Sequence, residues 1–195
     1  MHVPDHEPTG FGYPDHLMTL EDWIALPEDN SRWYELVEGV LRVCPRPMKV
    51  HQRAVWRLAA QLEPQLPEIY GVLTESEVVI DPNPPATVRV PDVIVVPDDG
   101  IKAGIPRSDA SEVLLAVEVL SRGTRRTDQV EKFSEYAEYG IEYYWIVDIN
   151  EPVSLAAYRL IDGEYEQMGE SANRIVLELA GLPIELDLAS LMSSR

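Results

Sequence analysis

Two stretches of the chain break the usual interleaving of apolar and polar positions. Val90-Pro91-Asp92-Val93-Ile94-Val95-Val96 and Val113-Leu114-Leu115-Ala116-Val117-Glu118-Val119-Leu120 are continuous, β-branched-rich apolar runs of strand length. Runs of this kind predict strands covered on both faces. Each contains one carboxylate, Asp92 or Glu118. Removing a carboxylate from water is costly unless a partner or a metal compensates.

Elsewhere the pattern alternates more conventionally. Residues 1–17, with Pro4, Pro8, Gly10, Gly12 and Pro14, read as a loose arm. Thr19-Leu20-Glu21-Asp22 opens a helix with a capping box, and Pro27 bounds it. Trp33–Val37 and Val40–Val43 alternate about Glu38-Gly39 and predict a hairpin, with Glu35 on the face of Trp33 and Val37. His51 to about Leu62 repeats apolar residues at Val55, Leu58 and Leu62, a helix that Pro64 and Pro67 end. His51 lies on the same stripe, one turn before Val55.

A short strand is expected at Glu77–Ile80, a surface loop at Pro97–Asp109, and a helix from Thr127 or Asp128 to Tyr139. Tyr143–Val147 predicts a buried strand ending at Asp148, and Leu155–Tyr158 with Tyr165–Met168 a peripheral hairpin. The apolar segment Ile175–Leu188 is expected to close the sheet edge. The order is mixed α/β (α+β), a central mixed β-sheet flanked by helices, in a single domain spanning 18–195.

Composition narrows the setting. The 195 residues are 45% hydrophobic and 26% charged, ordinary for one globular domain. The first 17 residues lack the apolar core of a signal peptide, and no run approaches the ~18 apolar residues of a membrane span. A single cysteine, Cys44, excludes an internal disulfide framework, and the simplest expectation is a cytoplasmic protein. The formal charge of −18 argues against polyanion binding as an average. The distribution argues otherwise: segments 39–62 and 119–127 hold eight of the 16 basic residues and none of the 34 acidic ones. These islands contain Arg42, Arg46, Lys49, Arg53, Arg57, Arg122, Arg125 and Arg126, and an acidic body can bind a polyanion at such a place.

The buried carboxylates suggest a chemistry. If their strands are neighbours, Asp92 and Glu118 can hold one Mg²⁺, with Glu35 as an outer or second-metal ligand; Mn²⁺ is the expected substitute. A bound cation polarises a phosphoryl oxygen and acidifies water, and a nearby lysine then steadies developing charge. Lys132 is the candidate. Structural alternatives remain open: Glu35 pairing with Arg32 or Arg42, Lys132 as a solvated helix residue, His51 as a satisfied core histidine.

The ordered set Y-E-L-V-E-G (Tyr34–Gly39), the His51 helix, P-D-V-I-V-V, V-E-V-L-S (Val117–Ser121), Asp128-x-x-x-Lys132, Y-Y-W-I-V-D (Tyr143–Asp148) and the tail L-P-I-E-L-D-L (Leu182–Leu188) resembles the Uma-type restriction endonucleases of the PD-(D/E)XK superfamily. The likeness spans roughly 18–191. It implies a restriction-endonuclease-like core and an Mg²⁺-dependent endonuclease acting on DNA, expected as a homodimer. Asp92 and Glu118 map onto the motif acids, and Glu35 onto the helper acid preceding them. The superfamily lysine two residues after the acid is here Leu120, so the resemblance implies relocation of that lysine to Lys132. His51, Arg125 and Arg126 are candidates for substrate contact. The absent lysine and acidic body also admit a non-catalytic binding or regulatory protein on the same fold. An acidic DNA mimic gives no reason to bury Glu118.

Overall fold

The computed structural model describes residues 14–27, 32–120 and 130–193. Arg125, Arg126 and the predicted Thr127/Asp128 cap lie outside the described residues, as does most of the N-terminal arm.

The six-stranded sheet takes its length from the long apolar runs. β3 (Tyr70–Thr74), β6 (Val93–Pro97), β8 (Leu115–Leu120), β9 (Tyr143–Asp148), β10 (Ser154–Ile161) and β11 (Glu164–Ser171) assemble in the order β11-β10-β9-β8-β6-β3. β8 and β9 are parallel and the other pairs antiparallel, so this is the expected mixed sheet. All six residues of β8 are buried, because the sheet is covered on both sides.

One face, carrying Val117 and Val119, packs against Ala54, Val55, Leu58 and Leu62 of α2 (Lys49–Leu62). Leu177 and Leu179 of β12 (Arg174–Leu179) and Ile184 and Leu186 of β13 (Leu182–Asp187) complete that core, beside α5 (Leu188–Leu191). The C-terminal segment therefore does not close the sheet edge as expected. β12 and β13 form a separate two-stranded unit. Their apolar positions alternate with exposed Glu178 and Glu185, so one face of the hairpin lies over the core while the other meets water.

A second, five-stranded sheet was not anticipated. β1 (Trp33–Val37), β2 (Val40–Cys44), β4 (Val78–Asp81), β5 (Thr87–Arg89) and the two-residue β7 (Ser108–Asp109) run in the order β2-β1-β5-β4-β7. Its outer face, with Leu36, Val79 and Val88, packs on Met18 and Trp23 of the segment containing α1 (Leu20–Ile24). Val78 and Ile80 point the other way, into a cluster with Ile94, Ala116, Leu120, Tyr136 and Tyr144. That cluster joins the second sheet to the free face of the first and to α4 (Lys132–Glu138).

The predicted loop at Pro97–Asp109 contains a short helix, α3 (Asp98–Lys102), and β7. Ile101 reaches back to meet Gly71 of β3.

Candidate active site

Strand alternation decides which side chains meet between the two sheets. On β1, Leu36 faces α1, so Glu35 faces the six-stranded sheet; on β5, Val88 faces α1, so Arg89 does the same. On β8, Glu118 shares its face with Ala116 and Leu120 and so looks toward α4. Lys132 and Tyr136 are one turn apart on α4 and both are buried.

These residues form one hydrogen-bonded network. Lys132 Nζ donates to Glu118 Oε1 at 2.8 Å and lies 3.2 Å from Glu35 Oε1. Tyr136 Oη donates to Glu118 Oε1 at 2.9 Å. Arg89, 1% exposed, donates Nη1 to Glu35 Oε2 at 3.0 Å and Nε to Glu135 Oε2 at 2.7 Å. The Val90 N–H adds a 3.3 Å bond to Glu35. Burial pushes the Glu35 carboxyl upward, but the charges of Lys132 and Arg89 outweigh it and hold Glu35 below the ordinary carboxylate range. The Tyr136 hydroxyl is pushed far above its ordinary value by burial and by Glu118, so it remains a donor.

Asp92 sits at the mouth of β6, just before its first residue. The β6–β8 register ends with Val93 opposite Val117, one residue short of Asp92 and Glu118. Asp92 is held by partners of its own. Its Oδ2 accepts the Val119 N–H at 2.6 Å and lies 3.2 Å from His51 Nε2. His51 Nε2 is also 2.9 Å from the Val119 carbonyl oxygen. Burial lowers the His51 pKa, but the hydrogen bond and charge of Asp92, with the Val119 carbonyl and Glu75, raise it further than burial depresses it. Glu75 is pushed upward by burial and by Asp92, against the pull of His51.

Among the described residues no group of three or more His, Cys, Asp or Glu side chains is arranged to hold a metal ion. Glu35 and Glu118 share Lys132, Glu35 serving also as counter-ion to Arg89, while Asp92 pairs with His51. Lys132 is correspondingly not a solvated helix lysine, being 5% exposed.

The Uma2 family, described as "Putative restriction endonuclease", matches residues 20–190. The chain belongs to this family. A solved structure described as "a putative nuclease belonging to DUF820", from Anabaena variabilis, matches with a TM-score of 0.65 and 20% identity. The match covers 90% of this chain and 97% of that one, and it shows a shared fold. No curated protein matches.

In this Uma2 chain the position two residues after Glu118 is apolar for a packing reason. Leu120 is 1% exposed, in contact with the cluster that holds Tyr136 and Tyr144. Lys132 reaches Glu118 from α4.

Sequence reasoning passes over Arg89, Tyr136, Glu135 and Glu75. Arg89 carried a usable signal, a lone charge in a β-branched run (Thr87-Val88-Arg89-Val90), the same signal that singled out Glu118. Glu135 and Tyr136 stand three and four residues after Lys132, on its helix face. Glu75 carried none. It occupies a left-handed turn (φ 52°) and donates its N–H to the Asp92 carbonyl at 3.2 Å.

The basic island of 39–62 is partly spent inside the molecule. Arg57 clamps the C-terminal turn through the carbonyls of Ser190 and Ser193 at 2.7 and 2.8 Å. Arg42 pairs with Glu131 at 2.8 Å. No helix among the described residues is long and apolar enough to cross a membrane.

Proposed function

We propose that this chain is an endonuclease that hydrolyses DNA phosphodiester bonds with a divalent cation, Mg²⁺ or Mn²⁺, held through Asp92 and Glu118. Family membership and the shared fold support the nuclease reading. The observation that carries it to particular residues is the Lys132 ammonium, buried 2.8 Å from Glu118 at the end of β8. A buried lysine brought to a buried acid from another element is costly, and structural ion pairs of this kind often gain nothing over apolar packing.

The donor set fits a hard cation. Asp92 is bonded to the N–H of Val119, the residue next to Glu118, and Mg²⁺ typically takes one or two carboxylates and fills its shell with water and phosphate oxygens. Glu35 does not fit as a ligand, since both its oxygens answer cationic side chains. When bound, the cation polarises the phosphoryl group and lowers the pKa of coordinated water.

The chain's own residues do the remaining work. Glu118 and Glu35 keep Lys132 charged and fix its direction; Arg89 offsets Glu35, leaving the ammonium able to turn toward a phosphoryl oxygen as charge develops. Tyr136 donates to the same Glu118 oxygen as Lys132, from one turn further along α4. A homodimer would present two such sites, one for each strand of a duplex.

Mn²⁺ titration calorimetry, followed by plasmid nicking in Mn²⁺, tests the reading. Wild type should bind and nick, Glu118→Gln should lose binding, and Lys132→Met should bind while losing at least about tenfold in nicking rate. Wild-type turnover in a folded Lys132→Met variant refutes the role given to Lys132.

A further inference from the structure

Trp56 stands apart from the other three tryptophans. Trp23 and Trp145 are buried and Trp33 is half-buried, whereas Trp56, on α2, is 66% exposed. A single apolar side chain at the surface is ordinary. The strip around this one is not. Lys49, Gln52, Arg53 and Ala60 are exposed as well, and they stand three, four and seven residues from Trp56, along one outer face of the helix. The opposite face, with Ala54, Val55, Leu58 and Leu62, is the one spent on the core.

Charge decides what fits this face. The chain carries 34 acidic residues and a formal charge of −18, yet α2 contains none of the acids. Glu63, the first acid after the helix, is turned back to accept the Val72 N–H at 2.8 Å. The outer face therefore shows cations and one large indole to solvent, on a molecule that otherwise repels polyanions. A wholly apolar partner would cover Trp56 and strip water from the Lys49 ammonium beside it, at a cost nothing repays. A nucleic-acid strand answers both features, with phosphates for the cations and a base for the ring. Inside a duplex each base is covered by its neighbours, so a ring on a helix surface takes a base only from an unpaired strand.

The face is also placed beside the proposed centre. The first turn of α2 carries His51 to Asp92, and Lys49 lies in that same turn. Trp56 follows His51 by five residues, about 7.5 Å along the helix axis.

We propose that the outer face of α2 binds single-stranded DNA, with an unpaired base stacked on Trp56 and the flanking phosphates at Lys49 and Arg53. The proposal rests on the nuclease reading for its choice of DNA, and it deepens that reading by naming the substrate class: a strand with unpaired bases beside the scissile bond. Trp56 is a binding residue and takes no part in the chemistry.

The test is fluorescence anisotropy of a labelled oligo(dT) about 12 nucleotides long, with the matching oligo(dT)·oligo(dA) duplex beside it. Both are titrated in EDTA, so that no cation is required and nothing is cleaved. All substituted positions are exposed, and each variant is first checked for cooperative unfolding. Wild type should bind oligo(dT) at least about tenfold more tightly than the duplex. Trp56→Ala should lose at least about tenfold in affinity for oligo(dT), and Trp56→Tyr should recover most of it. Lys49→Ala should flatten the dependence of log affinity on log salt by about 0.7. Indole emission should be quenched by oligo(dT) in the wild type far more than in Trp56→Ala.

Equal or tighter binding to the duplex overturns the proposal, as does unchanged oligo(dT) affinity in Trp56→Ala or no oligo(dT) binding by the wild type. A Trp56→Ala protein that keeps its oligo(dT) affinity but changes its sedimentation assigns the face to a second copy of the chain, and overturns the proposal too. The nuclease reading is tested apart from this, by Mn²⁺-dependent nicking that requires Glu118. Absence of nicking by a protein that passes the binding test overturns that reading and leaves the stacking face standing.

Discussion

Arg89→Met tests whether the network between the sheets is held by charge. The guanidinium is 1% exposed and faces two carboxylates, Glu35 at 3.0 Å and Glu135 at 2.7 Å. Methionine keeps much of the volume and removes both bonds. Lys132 still pairs with Glu35 and Glu118, but Glu135 loses its Arg89 partner. Breaking a buried ion pair from one side costs about 3–5 kcal/mol, because the abandoned charge stays buried. Glu135 is 18% exposed and recovers part of its hydration, so the lower end of that range applies. For a chain of this size the expected fall in Tm is about 6–12 °C.

The pH dependence gives the sign. In the wild type the Glu35 carboxyl is held below its ordinary value, so its contribution to stability is full above the ordinary carboxylate range and fades as pH falls through the depressed value. Removing Arg89 takes away one of the two charges that oppose burial. Glu35 then protonates more readily in the folded state, and acidification relieves the variant. Urea unfolding at pH 7 and pH 5, followed through buried Trp23 and Trp145, should show a gap between the two proteins that narrows at the lower pH. A gap below about 1 kcal/mol at pH 7, or one that widens on acidification, refutes the argument. Adding Glu35→Gln to Arg89→Met should recover part of the loss, since it removes a stranded charge.

Neutralising the carboxylates of a metal site is expected to preserve or raise the stability of the metal-free protein, by relieving their repulsion. For Glu118 the structure reverses this: with Lys132 and Tyr136 bonded to Oε1, Glu118→Gln should cost about 1–3 kcal/mol in urea unfolding, and a stabilised variant would contradict it. Gly39 has φ +75°, and an added Cβ would lie 2.9 Å from Leu17 Cβ, Met18 N and Pro85 Cβ. Gly39→Ala should therefore lower stability by about 2–4 kcal/mol, and a loss under 1 would show that the turn relaxes.

Both strands with a lone carboxylate, Asp92 and Glu118, were legible because a charge inside a long β-branched run is conspicuous. Glu35 was legible as inward-facing from alternation alone. Its partner was not. Arg42 is its cross-strand neighbour on β2, yet Arg42 reaches Glu131 and the guanidinium at Glu35 comes from Arg89 on β5. β5 is three residues long and pairs with β1 across about fifty residues of chain, too short a run and too long a loop for local periodicity to announce. The same limit hid the five-stranded sheet as a unit. Each of its strands is short, and only long-range pairing gathers them. The C-terminal hairpin misled for a different reason: its apolar alternation fits a sheet edge as well as it fits a separate ribbon lying on the core.

The two acids proposed to act together are held from opposite sides of one sheet. Glu118 is fixed from the α4 side by Lys132 and Tyr136, and Asp92 is fixed at the α2 side by His51. Val119 joins the two arrangements, its N–H bonded to Asp92 and its carbonyl to His51, while its side chain lies in the α2 core. This division explains how a strongly acidic chain can keep both carboxylates at one strand end. Each has its own cationic or donor partner on a different layer, so neither depends on the other for compensation. It also means that the two layers can be perturbed separately. Changes around Lys132 and Arg89 should alter the charge presented to a phosphoryl group with Asp92 undisturbed. Changes at His51 should alter the oxygens presented to a cation with the α4 network undisturbed. A site built from a single cluster of three acids would show no such separation.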